Sequence, residues 1–545
     1  MSGVFQNNVK LALSASGGAD IASYTPPPNP LLKFAAPPLA PSFVRNFITA
    51  SLRRCVSEMV QFCFYTPTDT ERKTMKHFRL LKYAMLLSAF GLFPALSHGA
   101  GWRYDEVGKQ LTDGVWSFPA TLLKDGINLE VNARLGTSSA TTPCVIDFSE
   151  IEGGYKVTKF GYFSSHHGTY PANDKGTQLY PYRGLITEFK APDCTAINNE
   201  ACFKYCTNLT TVVLAEGVNI PGRTFEGCNS LVELEPRKFA SIGGDAFSGC
   251  SSLKGKIEYT AKGTDNAPAS FGNNAFSGCS SLEEVVAENV KSLGEKVFNG
   301  CSSLTNIVLS PQIRTVMKLA FNGCAKLTTE NVQRILHKGL VQLGVGPYGG
   351  ELEGCFADCK GLTGTLVWEF TGLSTNVVPK NCFKGCDSLE RVDFKTPVTE
   401  FRASAFYNLK PGAEFHMTAE APKVFASLAT MTSTAPYPKV YLKGNSPAWI
   451  EVMNKNDYEN IILKDAFNNE SKYIIGSNIG WSTIRAIMKK DTDMCSYDET
   501  ENKITVNERG VLGFLMYQRT TSGKTTQAGC WILKEPEAGF SVIVR

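Results

Sequence analysis

Histidine is scarce in this chain, with six in 545 residues. There is no His-Glu-x-x-His string, and the adjacent pair His166-His167 has no third ligand at a telling interval. A zinc centre needs more material than this. An excess of charge of one sign is missing as well. Lys and Arg total 55 against 51 Asp and Glu, a net of +4 with no basic run, so nothing points to nucleic acid. No nucleophile motif is found. Two glycine strings fail as phosphate cradles. Gly344-x-Gly346-x-x-Gly349 has the letters of the dinucleotide fingerprint. The working motif follows a strand and opens a helix. Here "TTENVQRILHKGL" comes first and reads as a helix capped by Thr329, and Pro347 with Gly350 then makes an insertion loop. Gly523-Lys524-Thr525 would need a glycine where Gln518 stands. No catalytic, cofactor-binding or metal-binding residue is assigned, and an enzyme is not expected.

Repetition is what the chain has in abundance. The phrase Phe-x-x-Cys-x-x-Leu begins at Phe203, Phe225, Phe247, Phe276, Phe298, Phe321, Phe356, Phe383 and Phe406, at spacings of 22, 22, 29, 22, 23, 35, 27 and 23. A period in the low twenties marks a leucine-rich-repeat solenoid. After the shared Leu comes a strand phrase, as in Leu209-Thr-Thr-Val212-Val-Leu214 and Leu304-Thr-Asn-Ile307-Val-Leu309. Its apolar residues alternate, which suits a short half-buried strand. The spacing of three around Phe-x-x-Cys suits one tight helical turn instead. The expected fold is therefore an α/β repeat solenoid, with short parallel strands and short helical turns. Each coil reads strand, turn, short helix, turn. No coil can bury its own apolar face, so the array folds as a unit.

Eight of the nine units carry Cys: Cys206, Cys228, Cys250, Cys279, Cys301, Cys324, Cys359 and Cys386. The ninth has Leu409 there. Because Leu substitutes, the position reads as a buried apolar slot rather than a metal or disulfide ladder. Free Cys behaves as a small hydrophobe. With the repeat phenylalanines, these cysteines are the expected structural core. Cys355 with Cys382, Cys144 with Cys194, and Cys495 with Cys530 are candidate disulfides that sequence cannot decide.

"NAFSGCSSLEEV" and "KVFNGCSSLTNIVL" resemble the BspA-like leucine-rich-repeat family, whose units read Ala-Phe-x-x-Cys-x-x-Leu followed by a strand. The resemblance covers about residues 185–415. It implies a secreted or cell-surface protein, mostly bacterial, that binds host or neighbouring-cell proteins. The units 247–276, 321–356 and 356–383 carry insertions that interrupt the regular surface.

At 545 residues, 43% hydrophobic and 19% charged, the chain is ordinary globular material for two or three domains. Residues 1–74 include "YTPPPNPLLKFAAPPLAPSF" and read as a disordered or spurious extension, with translation starting at Met75. Residues 75–100 read as a signal peptide: Lys76, Arg79 and Lys82 precede an apolar run, Tyr83–Phe93, too short for a membrane span. Residues 101–184 are expected to be a β-rich cap with degenerate repeats, including "CVIDFSEIEGGYKVTKFGYF". The solenoid follows over 185–445, with "KVYLKG" as its last strand. Residues 446–545 hold a cap helix opened by Ser446-Pro447 and a small β-rich module. That module contains a hairpin with a Thr-Ser-Gly turn and a terminal strand "GFSVIVR". It could serve as cap, attachment signal or second binding unit.

In each strand phrase the third and fifth residues should point outward on the concave side. The candidate face is Thr211, Val213, Glu233, Glu235, Glu284, Val286, Asn306, Val308, Arg391 and Asp393. A wide, nearly rigid surface of this kind sums many weak contacts at low ordering cost. The alternative is that these residues only solubilise the face. The expected function is non-catalytic binding of a protein, or of a glycan. The rivals are a self-associating envelope component and an enzyme whose site lies outside the repeats.

Overall fold

The computed structural model describes residues 101–163, 180–260, 270–369, 376–443 without 419 and 426–428, 460–463, 474–475, and 481–536 without 502. All lie in the unit Gly91–Arg545. The expected extension at 1–74, the expected signal peptide at 75–100, His166-His167, the helix expected from Ser446-Pro447 and the terminal strand expected at 539–545 all fall outside the described residues.

The predicted strands form a wall of parallel ladders. Its first segment pairs Cys144–Asp147, Ile186–Lys190, Thr211–Val213 and Glu233–Glu235. Its second pairs Lys238–Phe239, Gly255–Tyr259, Leu282–Ala287 and Asn306–Leu309. Its third pairs Gly364–Trp368, Leu389–Phe394, Glu414–Met417 and Lys439–Leu442. "KVYLKG" is not the last strand, because Lys524–Lys534 adds to Lys439–Leu442 in parallel. Lys524–Lys534 also forms a long antiparallel hairpin with Val511–Thr521. The hairpin turns at Ser522 and Gly523, with φ of 52° and 75°. Two consecutive positive φ values match the twist of a two-residue hairpin.

A second wall went unpredicted. Two-residue strands such as Ser241–Ile242, Ser270–Phe271, Ser292–Leu293 and Glu400–Phe401 stack in parallel ladders of their own. Their inward residues are Ile220, Ile242, Phe271, Leu293, Val316, Val378 and Phe401, each buried five positions before a repeat Phe.

The Phe-x-x-Cys side is not helical, which corrects the α/β expectation. Its segments are single turns. The residue two places after each Phe has positive φ in all nine units, from Tyr205 at 60° to Asn408 at 56°, and it is Gly in six of them. A helix cannot propagate through that conformation, and Gly meets it without a Cβ penalty. Alternate turn N–H groups bond to the following coil, and those between them reach back three residues, as Cys228 N–H does to Phe225 O at 3.0 Å. Phe225 N–H donates to Ala246 O at 2.8 Å and Gly227 N–H to Ser248 O at 2.7 Å. The molecule is a leucine-rich-repeat β-solenoid with few helices. One helix, Thr329–Ile335, matches "TTENVQRILHKGL", but its cap is Thr328, whose hydroxyl accepts from Asn331 N–H.

The solenoid core is one column, and a second, smaller cluster that includes Tyr437, Met488, Phe514 and Trp531 lies under the C-terminal hairpin. Rings from Phe203 to Phe406 stack coil on coil, with centroids 5.3–5.6 Å apart and planes within 20°. Offset stacking at this separation suits the ring quadrupoles. At the N-terminal end the column continues into Phe160, Phe163, Phe118 and Trp116. Trp116 and Phe118 are the inward residues of an antiparallel sheet, Arg103–Asp105, Gln110–Thr112, Trp116–Leu122 and Asn128–Asn132, that shields the first coil. "CVIDFSEIEGGYKVTKFGYF" supplies one strand to each wall, Cys144–Asp147 and Lys156–Gly161.

Candidate functional site

The strand phrase alternates as its pattern requires. Val212, Leu234, Val285, Ile307 and Val392 are buried, and the residues flanking them turn to the opposite face, exposed or half-exposed except Asp393. Register then sets those outward residues in rows. In the first segment one row is Val145, Glu188, Thr211 and Glu233, and the next is Asp147, Lys190, Val213 and Glu235. In the second the rows are Lys256, Glu284 and Asn306, and Lys238, Glu258, Val286 and Val308. In the third they are Thr365, Arg391, Glu414 and Lys439, and Val367, Asp393, His416 and Tyr441.

The ten sequence candidates therefore share one wall but not one continuous ladder. Thr211, Val213, Glu233 and Glu235 lie on the first segment, Glu284, Val286, Asn306 and Val308 on the second, and Arg391 and Asp393 on the third. Between the second and third segments the helix Thr329–Ile335 takes a strand's place. Gln333 imitates a missing peptide group there: its amide donates to Val367 O at 3.0 Å, and its carbonyl accepts from Val367 N–H at 2.9 Å.

Electrostatics separates the segments. On the first, Lys190 lies 2.6 Å from Glu188 and 3.8 Å from Asp147. Glu233 and Glu235 are exposed and form no ion pair among the described residues. On the third, Asp393 is only 8% exposed. Burial opposes its charge, yet the hydrogen-bonded Arg391 guanidinium and nearby Lys395 hold its carboxyl below the ordinary range. It is an anchor for Arg391 rather than an open contact. His416 stacks on Tyr441 at 4.6 Å, with Nδ1 2.8 Å from Glu535 and Nε2 3.4 Å from Glu414. Tyr441 donates to Glu508, which also pairs with Lys439 at 2.7 Å. These contacts tie the C-terminal segment to the wall. Asp491 adds a buried tie, accepting from Tyr437 N–H and Trp531 Nε1, each at 2.9 Å.

Sequence reasoning missed Lys190, Lys256, Glu258, Glu414 and His416. Lys256 and Glu258 are out of phase because the ladder shifts register at Gly255/Lys256, one residue past the usual place. A Gly two residues after the shared Leu253 was the available signal. The strands of Lys190 and His416 precede the first Phe unit and follow the last.

The cysteine column is buried as expected, from Cys206 in the first unit to Cys386 in the eighth, each 0% exposed. The fifteen described cysteines are free thiols, including Cys206, Cys144, Cys194, Cys355, Cys382, Cys495 and Cys530. The candidate disulfides are therefore not formed. The thiols have a task that the apolar-slot reading omitted. Cys228, Cys250, Cys279, Cys301, Cys324, Cys359 and Cys386 each donate to the Phe carbonyl of the preceding coil at 3.1–3.2 Å. Cys206 stands at the head of the column, where the preceding coil has no Phe-x-x-Cys phrase. Its own backbone closes the same turn, with Cys206 N–H donating to Phe203 O at 3.1 Å. Among the described residues no group of three or more His, Cys, Asp or Glu is placed to hold a metal ion. None of their helices is long and apolar enough to cross a membrane. Gly344 ends inside the strand Gln342–Val345, and Gly346–Gly349 makes a turn closed by Gly349 N–H to Gly346 O, with no helix following.

This fold class is the leucine-rich-repeat solenoid. Residues 182–254, 232–338 and 352–423 match the family described as BspA type leucine rich repeat region, in six copies. The repeat segment is a BspA-type leucine-rich-repeat region. No curated protein matches the chain. Solved structures that it resembles include a leucine rich cell surface protein from Faecalibacterium prausnitzii, at 16% identity over 63% of this chain and 97% of that one, with a TM-score of 0.32. A leucine-rich repeat protein from Bacteroides ovatus follows at 18% identity, 62% and 94% coverage, and a TM-score of 0.30. The pneumococcal vaccine antigen PcpA matches at 13% identity, 66% and 97% coverage, and a TM-score of 0.29.

Proposed function

We propose that this is an exported, non-catalytic cell-surface protein that binds a protein partner through the outward face of its long-strand wall. Export would use the segment at 75–100, and the mature chain would begin near 101. The observation that carries the reading is the pair Glu233 and Glu235, exposed side by side at the end of the first segment without a cation of their own among the described residues. With Glu188 and Asp147 sharing Lys190, that segment presents four carboxylates to one ammonium. Surface carboxylates left uncompensated steer a basic partner and fix its register. The BspA-type repeat supports the same reading, since the family's expected role is adhesion to host or neighbouring-cell proteins.

The test is capture from host or community extract by the full chain, followed by the identified partner's affinity for Glu233→Lys, Glu235→Lys and Glu284→Lys. Reversal at Glu233 and Glu235 should weaken binding at least tenfold and flatten its salt dependence, while Glu284→Lys should act less because Lys256 lies 4.0 Å away. Unchanged affinity in all three variants removes the partner from this face.

A further inference from the structure

Two carboxylates on the third segment depend on one imidazole. Asp393 has Arg391 at 2.5 Å and Lys395 at 3.4 Å, and Glu508 has Lys439 at 2.7 Å. Glu414, on the strand of His416, and Glu535, just past the last strand of the ladder, pair with no lysine or arginine among the described residues. Arg391 stands opposite Glu414 in the register but is spent on Asp393, which it grips through two nitrogens. Lys443, two residues past Tyr441, is exposed and forms no ion pair among the described residues. His416 lies between Glu414 and Glu535. Its Nδ1 is 2.8 and 2.9 Å from the two Glu535 oxygens, and its Nε2 is 3.4 Å from Glu414.

We propose that His416 is a proton-operated clamp that fixes the chain at Glu535 to the wall. A neutral imidazole carries one N–H, so it donates to one carboxylate and turns a lone pair on the other. The imidazolium donates to both. One proton taken from solvent therefore turns a repulsive contact into a second attractive one. The His416 side chain is only 13% exposed, so water and salt screen that change weakly. Tyr441 keeps the ring in place, stacked at 4.6 Å with planes 14° apart. Burial and the fields of Glu414, Glu508 and Glu535 push the Tyr441 phenol up, so it stays a neutral donor to Glu508. The clamp governs where the chain leaves the wall. Glu535 follows Lys534, the last residue paired with Lys439–Leu442, and its N–H donates to Leu442 O at 2.8 Å. With the proton bound, wall and exit are tied through both carboxylates. Without it, Glu414 faces a lone pair and the exit loosens. Phe514, Trp531 and Leu533 are buried, so the hairpin itself stays docked in either state. The clamp is separate from the carboxylate face proposed above and does not rest on it.

The test is hydrogen exchange at Glu535 N–H in the full chain, read by NMR at about pH 5.5 and about pH 8, the span in which histidine changes charge. Each rate is divided by the intrinsic rate at its pH. Protection should be at least fivefold greater at the lower pH. Protection at Trp531 N–H, which donates to Pro438 O at 2.8 Å on the same strand, should not change. His416→Gln keeps a donor for Glu535 but has no proton to gain, so its protection should be equal at both pH values and no higher than wild type at the upper one. Glu414→Gln offers Nε2 an amide donor in place of a carboxylate, so it should stay protected at both. Wild-type protection indifferent to pH overturns the proposal. So does a pH dependence that survives in His416→Gln or Glu414→Gln, or one that Trp531 N–H shares, which would mean that the whole hairpin loosens.

Discussion

Raising the pH should unfold this protein in a narrow window, because its core is lined with thiols held neutral. Cys202, Cys228, Cys250, Cys279, Cys301, Cys324, Cys355, Cys359, Cys382 and Cys386 are all 0% exposed. Burial pushes each one up from the ordinary thiol value of 9.0, Cys355 to about 12. Folding thus favours the protonated form. Below pH 9 both states are protonated and the full stability is present. Above it the unfolded chain loses protons that the folded chain keeps, so stability falls with pH until the folded values are reached. One unit above its unfolded value, each thiol removes about 1.4 kcal/mol. Ten of them together reach on the order of 14 kcal/mol, as large as the whole stability of a typical domain, roughly 5–15 kcal/mol. Circular dichroism and a thiol-reactive dye, followed from pH 7.5 to 11 in a reversible titration, should show unreactive thiols at pH 8. A cooperative loss of structure with exposure of thiols should follow between about 9 and 10.5. Replacing Cys279 and Cys301 by Ala should make stability fall less steeply above pH 9, by about 1.4 kcal/mol per pH unit for each thiol removed. A native spectrum with protected thiols at pH 11 would refute the reasoning.

Two further perturbations probe the architecture. Phe276→Ala removes a ring stacked at 5.4 Å on Phe247 and 5.6 Å on Phe298, and should cost about 3–5 kcal/mol in urea denaturation; a loss below about 1 kcal/mol would show that the column does not act as a packed unit. Gln333→Ala leaves both peptide groups of Val367 without their partner, so it should cost about 1–3 kcal/mol and speed hydrogen exchange at Val367 N–H, and unchanged exchange there would show that the helix is not bridging the wall.

Much of the solenoid was legible because its core is one-dimensional. Each Phe at a repeat position is buried, and the Leu-x-x-Val alternation names the inward residues without knowledge of curvature. The Phe-x-x-Cys turn was misread for a physical reason. A spacing of three marks any tight turn, and only the left-handed residue within it, Gly249 or Asn408, says that no helix forms. The two-residue strands were missed because a two-residue run has no periodicity to detect. Their signal was positional: an apolar residue recurring five before Phe. Of the candidate face, orientation was readable. Continuity was not, since an inserted helix and the Arg237 guanidinium, which donates to the carbonyls of Val232 and Lys254, divide the wall through contacts between distant coils.

The repeated phrase by itself determined that the chain stacks, at what period, and which side chains turn inward, because no single coil can hide its Phe and Leu from water. Tertiary structure alone decided the rest. It placed Asp393 under Arg391 and left Glu233 and Glu235 without an ion-pair partner among the described residues. It also set the column thiols from Cys228 onward against neighbouring carbonyls, and brought Glu535 onto His416 across 119 residues. Periodicity fixes what one coil must bury. Which charges are satisfied depends on the register between coils, and no local pattern carries that register.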